Sequence, residues 1–174
     1  MKTFLTIWIT AMMMVLELIC GNMGLALGFP IFSAVYFAVA FAPSYGIAAA
    51  GFAGLLLDVI YDRTWLTGAL VAVLITFIAS ETARRIHRHQ PESSLLSGAL
   101  CGLMILLANL CGALISGETP PGPRIFSMMV FQIIGGAIFM LMMTLSFDAI
   151  NLRSNLPRFC PLKNQRDLHG DSIR

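Results

Sequence analysis

Apolar positions run along this chain in long blocks, separated by short polar breaks. Residues 3–16, 18–57, 64–80, 93–117 and 125–147 carry no charge. A membrane-spanning helix needs roughly 20 mostly apolar residues, and most of these blocks have that length. The block 18–57 is too long for one helix: it would reach about 60 Å, against a hydrocarbon thickness of about 30 Å. Gly21, Asn22, Gly24 and Gly28-Phe29-Pro30 offer breaks near its start, and Pro43-Ser44-Tyr45-Gly46 reads as a turn in its middle. The pattern predicts six helices, over 3–21, 24–42, 44–62, 65–84, 94–116 and 125–148. Pro30 makes the second a candidate for a discontinuous helix, which is tolerable only where neighbouring protein covers its backbone.

Composition turns this pattern into a class. Of the 174 residues, 57% are hydrophobic and 11% charged, where an ordinary globular protein has about 25% charged. So few charges cannot cover a water-soluble surface. Disorder, a secreted disulfide scaffold and a nucleic-acid-binding module are excluded as readings of the whole chain. The expected fold is an all-α polytopic membrane protein with six transmembrane helices in one compact bundle, residues 1–150, followed by a basic tail, 151–174.

The net charge of +2 says little, but its distribution orients the chain. Lys and Arg concentrate on the cytoplasmic side of membrane proteins. Six spans with the N-terminus inside place Lys2, Arg84, Arg85, Arg88, Arg153, Arg158, Lys163, Arg166 and Arg174 on that side, nine of the eleven basic residues. Only Arg63 and Arg124 fall outside. Five spans would move Lys2 out, so both termini are expected in the cytoplasm. Lys2 before an apolar stretch resembles the start of a signal peptide. However, Glu17 sits where the apolar region should finish and no A-x-A site follows, so the first span is expected to stay uncleaved. Cys20, Cys101, Cys111 and Cys160 show no metal spacing. The first three lie in or beside spans, where Cys is usually a small apolar packer.

Gly46, Ala50, Gly54 and Asp58 recur every four residues and share a helix face. Gly51 adds to this small surface, which lets helix backbones approach closely. Packing inside the bundle and contact with another protein both fit such a face; a partner contact is the functional expectation. It leads to the expectation that Gly54→Leu disrupts assembly while Gly54→Ala is tolerated. Further small residues lie at Ala34-Ala38-Ala42, Gly98-Gly102 and Gly135-Gly136. Asp58 and Asp62 are one turn apart near the outer interface, with Arg63 next. They read as a helix-end ion pair, a cap on a neighbouring helix, or a contact with a partner or substrate.

Glu17, Asn109 and Gln132 are the polar residues expected at depth. They can hydrogen-bond between helices or form a ligand pocket, and Glu17 is expected to pair with an Asn or Gln of another span or to stay protonated. Glu81 precedes Arg84 and Arg85 by three and four residues, a helix-stabilising order. Arg84, Arg85 and Arg88, with His87 and His89, form a basic cluster suited to topology and lipid headgroups. The tail, with Asp167 and Asp171 among its basic residues, suits a membrane-surface anchor. No Walker A, GxSxG, HExxH or Rossmann glycine pattern occurs. No catalytic residue, metal site or cofactor is expected.

The stretch 30–85 resembles the MreD family of bacterial rod shape-determining membrane proteins. The resemblance rests on Pro30, Gly46, Gly51-Phe52-Ala53-Gly54-Leu55-Leu56-Leu57-Asp58 and, after a short polar turn, Thr67-Gly68-Ala69-Leu70. One departure is Ile31, where many members carry an acidic residue directly after the proline. The resemblance implies a non-enzymatic, multi-pass protein of the bacterial inner membrane, acting in regulation of cell shape and peptidoglycan synthesis. It implies as partners the membrane protein MreC, MreB filaments and cell-wall synthases. It also implies a bundle similar to the substrate-binding subunits of energy-coupling-factor vitamin transporters, themselves the alternative reading. Those subunits typically carry an Ala-xxx-Ala pair in the first span; here Ala11 is followed by Val15. Gly54-x3-Asp58-x3-Asp62 also matches the last part of the acidic signature of membrane CDP-alcohol phosphotransferases. That chemistry needs several carboxylates round its metal, and residues 33–45 carry no charge.

Overall fold

A computed structural model describes residues 2–22, 28–61, 67–85, 92–115, 122–153 and 156–159. Among them are six helices: α1 (Lys2–Asn22), α2 (Phe29–Ala40), α3 (Pro43–Ile60), α4 (Thr67–Arg85), α5 (Glu92–Ile115) and α6 (Gly122–Arg153). The fold is all-helical, as the apolar blocks predict.

Four helices are long and apolar enough to cross a membrane, over Lys2–Gly21, Pro43–Ile60, Ser93–Gly112 and Met129–Arg153. Phe4, Trp8, Phe52, Leu70, Ile115, Phe126 and Met142 are among many large apolar side chains left exposed. In water such a surface would aggregate; in lipid it is ordinary. Together these are the features of a membrane protein.

The second helix departs from the expected span 24–42. With 12 residues it is about 18 Å long, well short of the hydrocarbon thickness. Local chemistry sets both ends. Gly28 takes a left-handed conformation, φ 73°, and a Cβ there would also lie 2.6 Å from Ile105 Cδ1. Glycine alone adopts that φ without strain. Pro30 sits in the first turn, where its missing N–H costs nothing. At the other end Ala42 is extended and Pro43 opens α3, because a residue before proline is pushed out of the helical region.

α2 is also the centre of the fold. Every residue from Phe29 to Ala40 except Ile31 is buried, and α1, α3, α4, α5 and α6 all pack against it. A helix apolar all round belongs in a core. Phe32, Val35, Tyr36 and Phe37 of α2 join Ile75 and Ala79 of α4, Cys101 and Ile105 of α5, and Met140 and Met143 of α6 in one apolar cluster. Outside it, α3 lies on α4, α4 on α5 and α5 on α6.

Close approaches occur where small residues face one another. A Cβ at Gly46 would overlap Ala38 Cβ and the Ala34 carbonyl oxygen, so α3 sits directly on the small stripe of α2. A Cβ at Gly98 would lie 2.5 Å from the Gly136 carbonyl oxygen, and one at Gly102 would overlap that of Gln132. The GxxxG of α5 therefore seats α6.

α6 continues to Arg153, and residues 156–159 fold back on the core, with Asn151 and Phe159 each 1% exposed. The apolar and amide groups of Asn151 and Phe159 are thus buried with the helices.

Candidate functional site

The buried carboxylates Glu17 and Asp58 act on helix ends. Asp58, near the end of α3 and 2% exposed, accepts the Gly68 N–H at Oδ1 (3.2 Å) and the Ala69 N–H at Oδ2 (3.1 Å). Those N–H groups open α4 and have no partner within their own helix. A carboxylate there also faces the positive end of the helix dipole. Gly54, one turn earlier, fits against the same point: a Cβ on it would lie 2.5 Å from Ala69 Cα and 2.9 Å from Ala69 N. Gly68 in turn leaves room for the carboxylate, since a Cβ there would overlap Asp58 Oδ1. Gly54, Asp58, Gly68 and Ala69 thus form one clamp between α3 and α4.

Of the two readings of the small face on α3, packing inside the bundle accounts for Gly46, Ala50 and Gly54. Gly46 meets α2, Gly54 meets α4, and Ala50 is fully buried with Ala34, Ala49 and Ala72. The face is used within the chain, because α2 and α4 are the neighbours near enough to need small residues. Gly51 is partly exposed and would give a new Cβ only an ordinary contact, 3.6 Å from Val73. Gly54→Ala would place its new carbon against backbone atoms of Gly68 and Ala69. Asp62 and Arg63 lie outside the described residues, as do Arg88, His87, His89 and Cys160.

The two ends of α2 are held by opposite charges. Glu17 of α1, 5% exposed, accepts the Phe29 N–H at Oε2 (2.9 Å). Arg84 of α4 donates from Nη2 to the Ala38 carbonyl oxygen in the last turn of α2. A carboxylate at the N-terminus and a guanidinium at the C-terminus both complement the dipole. The start of α2 thus brings an orphan N–H group to the Glu17 carboxylate. Arg85 remains on the surface and pairs with Glu81 at 3.0 Å, with Arg85 77% and Glu81 44% exposed. Such a pair contributes little to stability.

Of the other two residues expected at depth, Gln132 is 8% exposed on α6. Asn109 lies on the exposed surface of α5 near its C-terminal end. Glu17, Asn109 and Gln132 are therefore not one buried set.

A second polar group escaped the sequence reading. Tyr36, fully buried in α2, donates its hydroxyl to Asp148 Oδ1 (2.7 Å). Asn151 Nδ2 donates to the Tyr36 hydroxyl (2.9 Å) and to the Pro157 carbonyl oxygen (3.0 Å). The Phe159 N–H donates to Asp148 Oδ1 (2.8 Å), and the Phe159 ring stacks on Tyr36 with centroids 6.0 Å apart. Phe147 meets the same ring edge-on at 5.3 Å. A signal was present: a tyrosine inside an apolar helix needs a partner for its hydroxyl, and Asp148 and Asn151 share a face of α6.

Among the described residues no group of three or more His, Cys, Asp or Glu is placed to hold a metal ion. No protein-family model, curated protein or solved structure matches the chain.

The Asp58 clamp has a measurable consequence. Asp58→Ala leaves two buried N–H groups without their acceptor and is expected to cost about 1–3 kcal/mol. Asp58→Asn keeps one acceptor and is expected to lose about half as much. Thermal unfolding in detergent micelles checks the order wild type, Asn, Ala; equal midpoints would remove the clamp.

Proposed function

We propose that this chain is a non-enzymatic scaffold subunit of the bacterial cell-elongation machinery, of the MreD type. In this reading it is a compact six-span bundle in the cytoplasmic membrane with both termini in the cytoplasm. It helps position peptidoglycan synthesis by packing against an MreC-like membrane protein, beside MreB filaments and cell-wall synthases. One observation carries the reading furthest. The two separate stretches on which the resemblance rests, 51–58 and 67–70, meet in space, with Gly54 and Asp58 fitted to Gly68 and Ala69. A pattern whose halves serve one another is a structural unit rather than a chance run of glycine and leucine.

α2 is shorter than the hydrocarbon layer is thick, and other helices cover its backbone, as a short helix at membrane depth requires. Partner contact then falls to the outward apolar faces, since the small face of α3 is occupied by α2 and α4. The vitamin-transporter reading asks Glu17, Asn109 and Gln132 to share a pocket. Glu17 holds the start of α2 and Asn109 is exposed, so no observation favours that reading.

The test is a tagged pull-down from native membranes in mild detergent, with mass spectrometry of what co-purifies. An MreC-like protein together with cell-wall synthases is the expected recovery. Paired ATPase subunits with a large membrane coupling protein would replace the scaffold reading with the transporter one.

A further inference from the structure

Between α1 and α3 lies a groove of about 390 Å³, lined by Thr3, Thr6, Ile7 and Thr10 on one side and by Ser44, Tyr45, Ala48, Ala49 and Phe52 on the other. We propose that it binds one anionic glycerophospholipid, headgroup at the Lys2 end and one acyl chain along Ile7, Ala48 and Phe52. Three observations converge on that occupant.

The first is the lining: nearly all of the groove's surface is apolar, as an acyl chain requires. The second is charge. α1 and α3 both begin at this end, and the N-cap of α3, Ala42, supplies no side-chain bond, leaving a helix N-terminus that favours an anion. The third is the Lys2 ammonium, 6.0 Å from the centroid of Phe41, whose ring meets that of Tyr45 at 6.0 Å. A cation thus stands beside the groove where a phosphate would lie.

The experiment uses the full chain, purified and delipidated in mild detergent. Phosphatidylglycerol or phosphatidylcholine with the same acyl chains is titrated in, and thermal unfolding and native mass spectrometry are read together. Phosphatidylglycerol is expected to bind saturably as one molecule, about fivefold more tightly than phosphatidylcholine, the factor for roughly 1 kcal/mol per basic residue. Lys2→Gln is expected to erase that preference and keep binding of both lipids. Ala48→Phe, at an exposed wall position, is expected to weaken both about tenfold or more, as exclusion of roughly two buried methylenes would. Leu70→Phe, equally exposed on α4, is expected to bind as wild type. Size-exclusion chromatography reports folding; where Ala48→Phe is not monodisperse, Ile7→Trp fills the groove from the opposite wall. The proposal is overturned by equal binding of the two lipids to wild type, by unchanged binding to a folded groove-filling variant, or by a filled groove that displaces a co-purifying protein instead of lipid.

Discussion

Gly46→Leu is expected to prevent the helices from assembling, and even Gly54→Ala to cost about 1–3 kcal/mol or more. Both follow from what a side chain would meet. At Gly46 the first added carbon already overlaps Ala38 Cβ and the Ala34 carbonyl oxygen, so three further carbons have nowhere to go. At Gly54 the obstacle is the backbone of Ala69 and the Gly68 carbonyl oxygen, 2.5–3.0 Å away. Backbone cannot swing aside as a side chain does, and moving it would also pull Gly68 and Ala69 off the Asp58 carboxylate. Gly51→Ala is the control, since its new carbon would sit at ordinary contact distance from Val73. Unfolding midpoints and the monodisperse yield in one detergent check the series. A Gly54→Ala protein as stable as Gly51→Ala would show that α3 and α4 can separate freely, and the clamp would not hold.

Tyr36→Ala is expected to lose about 3–5 kcal/mol, the usual range for emptying a fully buried aromatic site. Its ring touches Phe37, Phe147 and Phe159, and its hydroxyl connects Asp148 and Asn151. Tyr36→Phe is expected to cost far less, about 0.5–1.5 kcal/mol. Asp148 keeps the Phe159 N–H and Asn151 keeps the Pro157 carbonyl. The same pair of variants separates packing from hydrogen bonding at the C-terminal end. Tryptic cleavage at Arg158, next to the buried Phe159, is expected to be slow in wild type, slightly faster in Tyr36→Phe and much faster in Tyr36→Ala. Equal cleavage rates would mean that residues 156–159 are not held by Tyr36.

These two sites divide what could be read from the chain and what could not. Small residues at 46, 50 and 54 announced a close helix approach, and one occurs. Their pattern could not say whether the approaching helix belonged to this chain or to another, because spacing records the shape of a surface and not its neighbour. Asp58 is similar: a cap on a neighbouring helix was one of its readings, but its choice of the Gly68 and Ala69 N–H groups required α4 to fold back on α3. Tyr36 passed as one more apolar position of α2, since its partners lie more than a hundred residues away on α6.

Hydropathy and punctuation along the chain determined that this is a helical, membrane-type protein, that the described residues form six helices, and where α1, α3, α4 and α5 run to within about two residues. Those are local properties: twenty apolar side chains demand lipid or a core whatever surrounds them, and proline and glycine break helices by their own backbone geometry. Only the tertiary structure decided that α2 is a short central helix, that Glu17 and Arg84 hold its two ends, and that residues 156–159 close on Tyr36. A buried polar group takes the partner that the fold brings within hydrogen-bonding distance, and that distance is set by how helices far apart in sequence pack together.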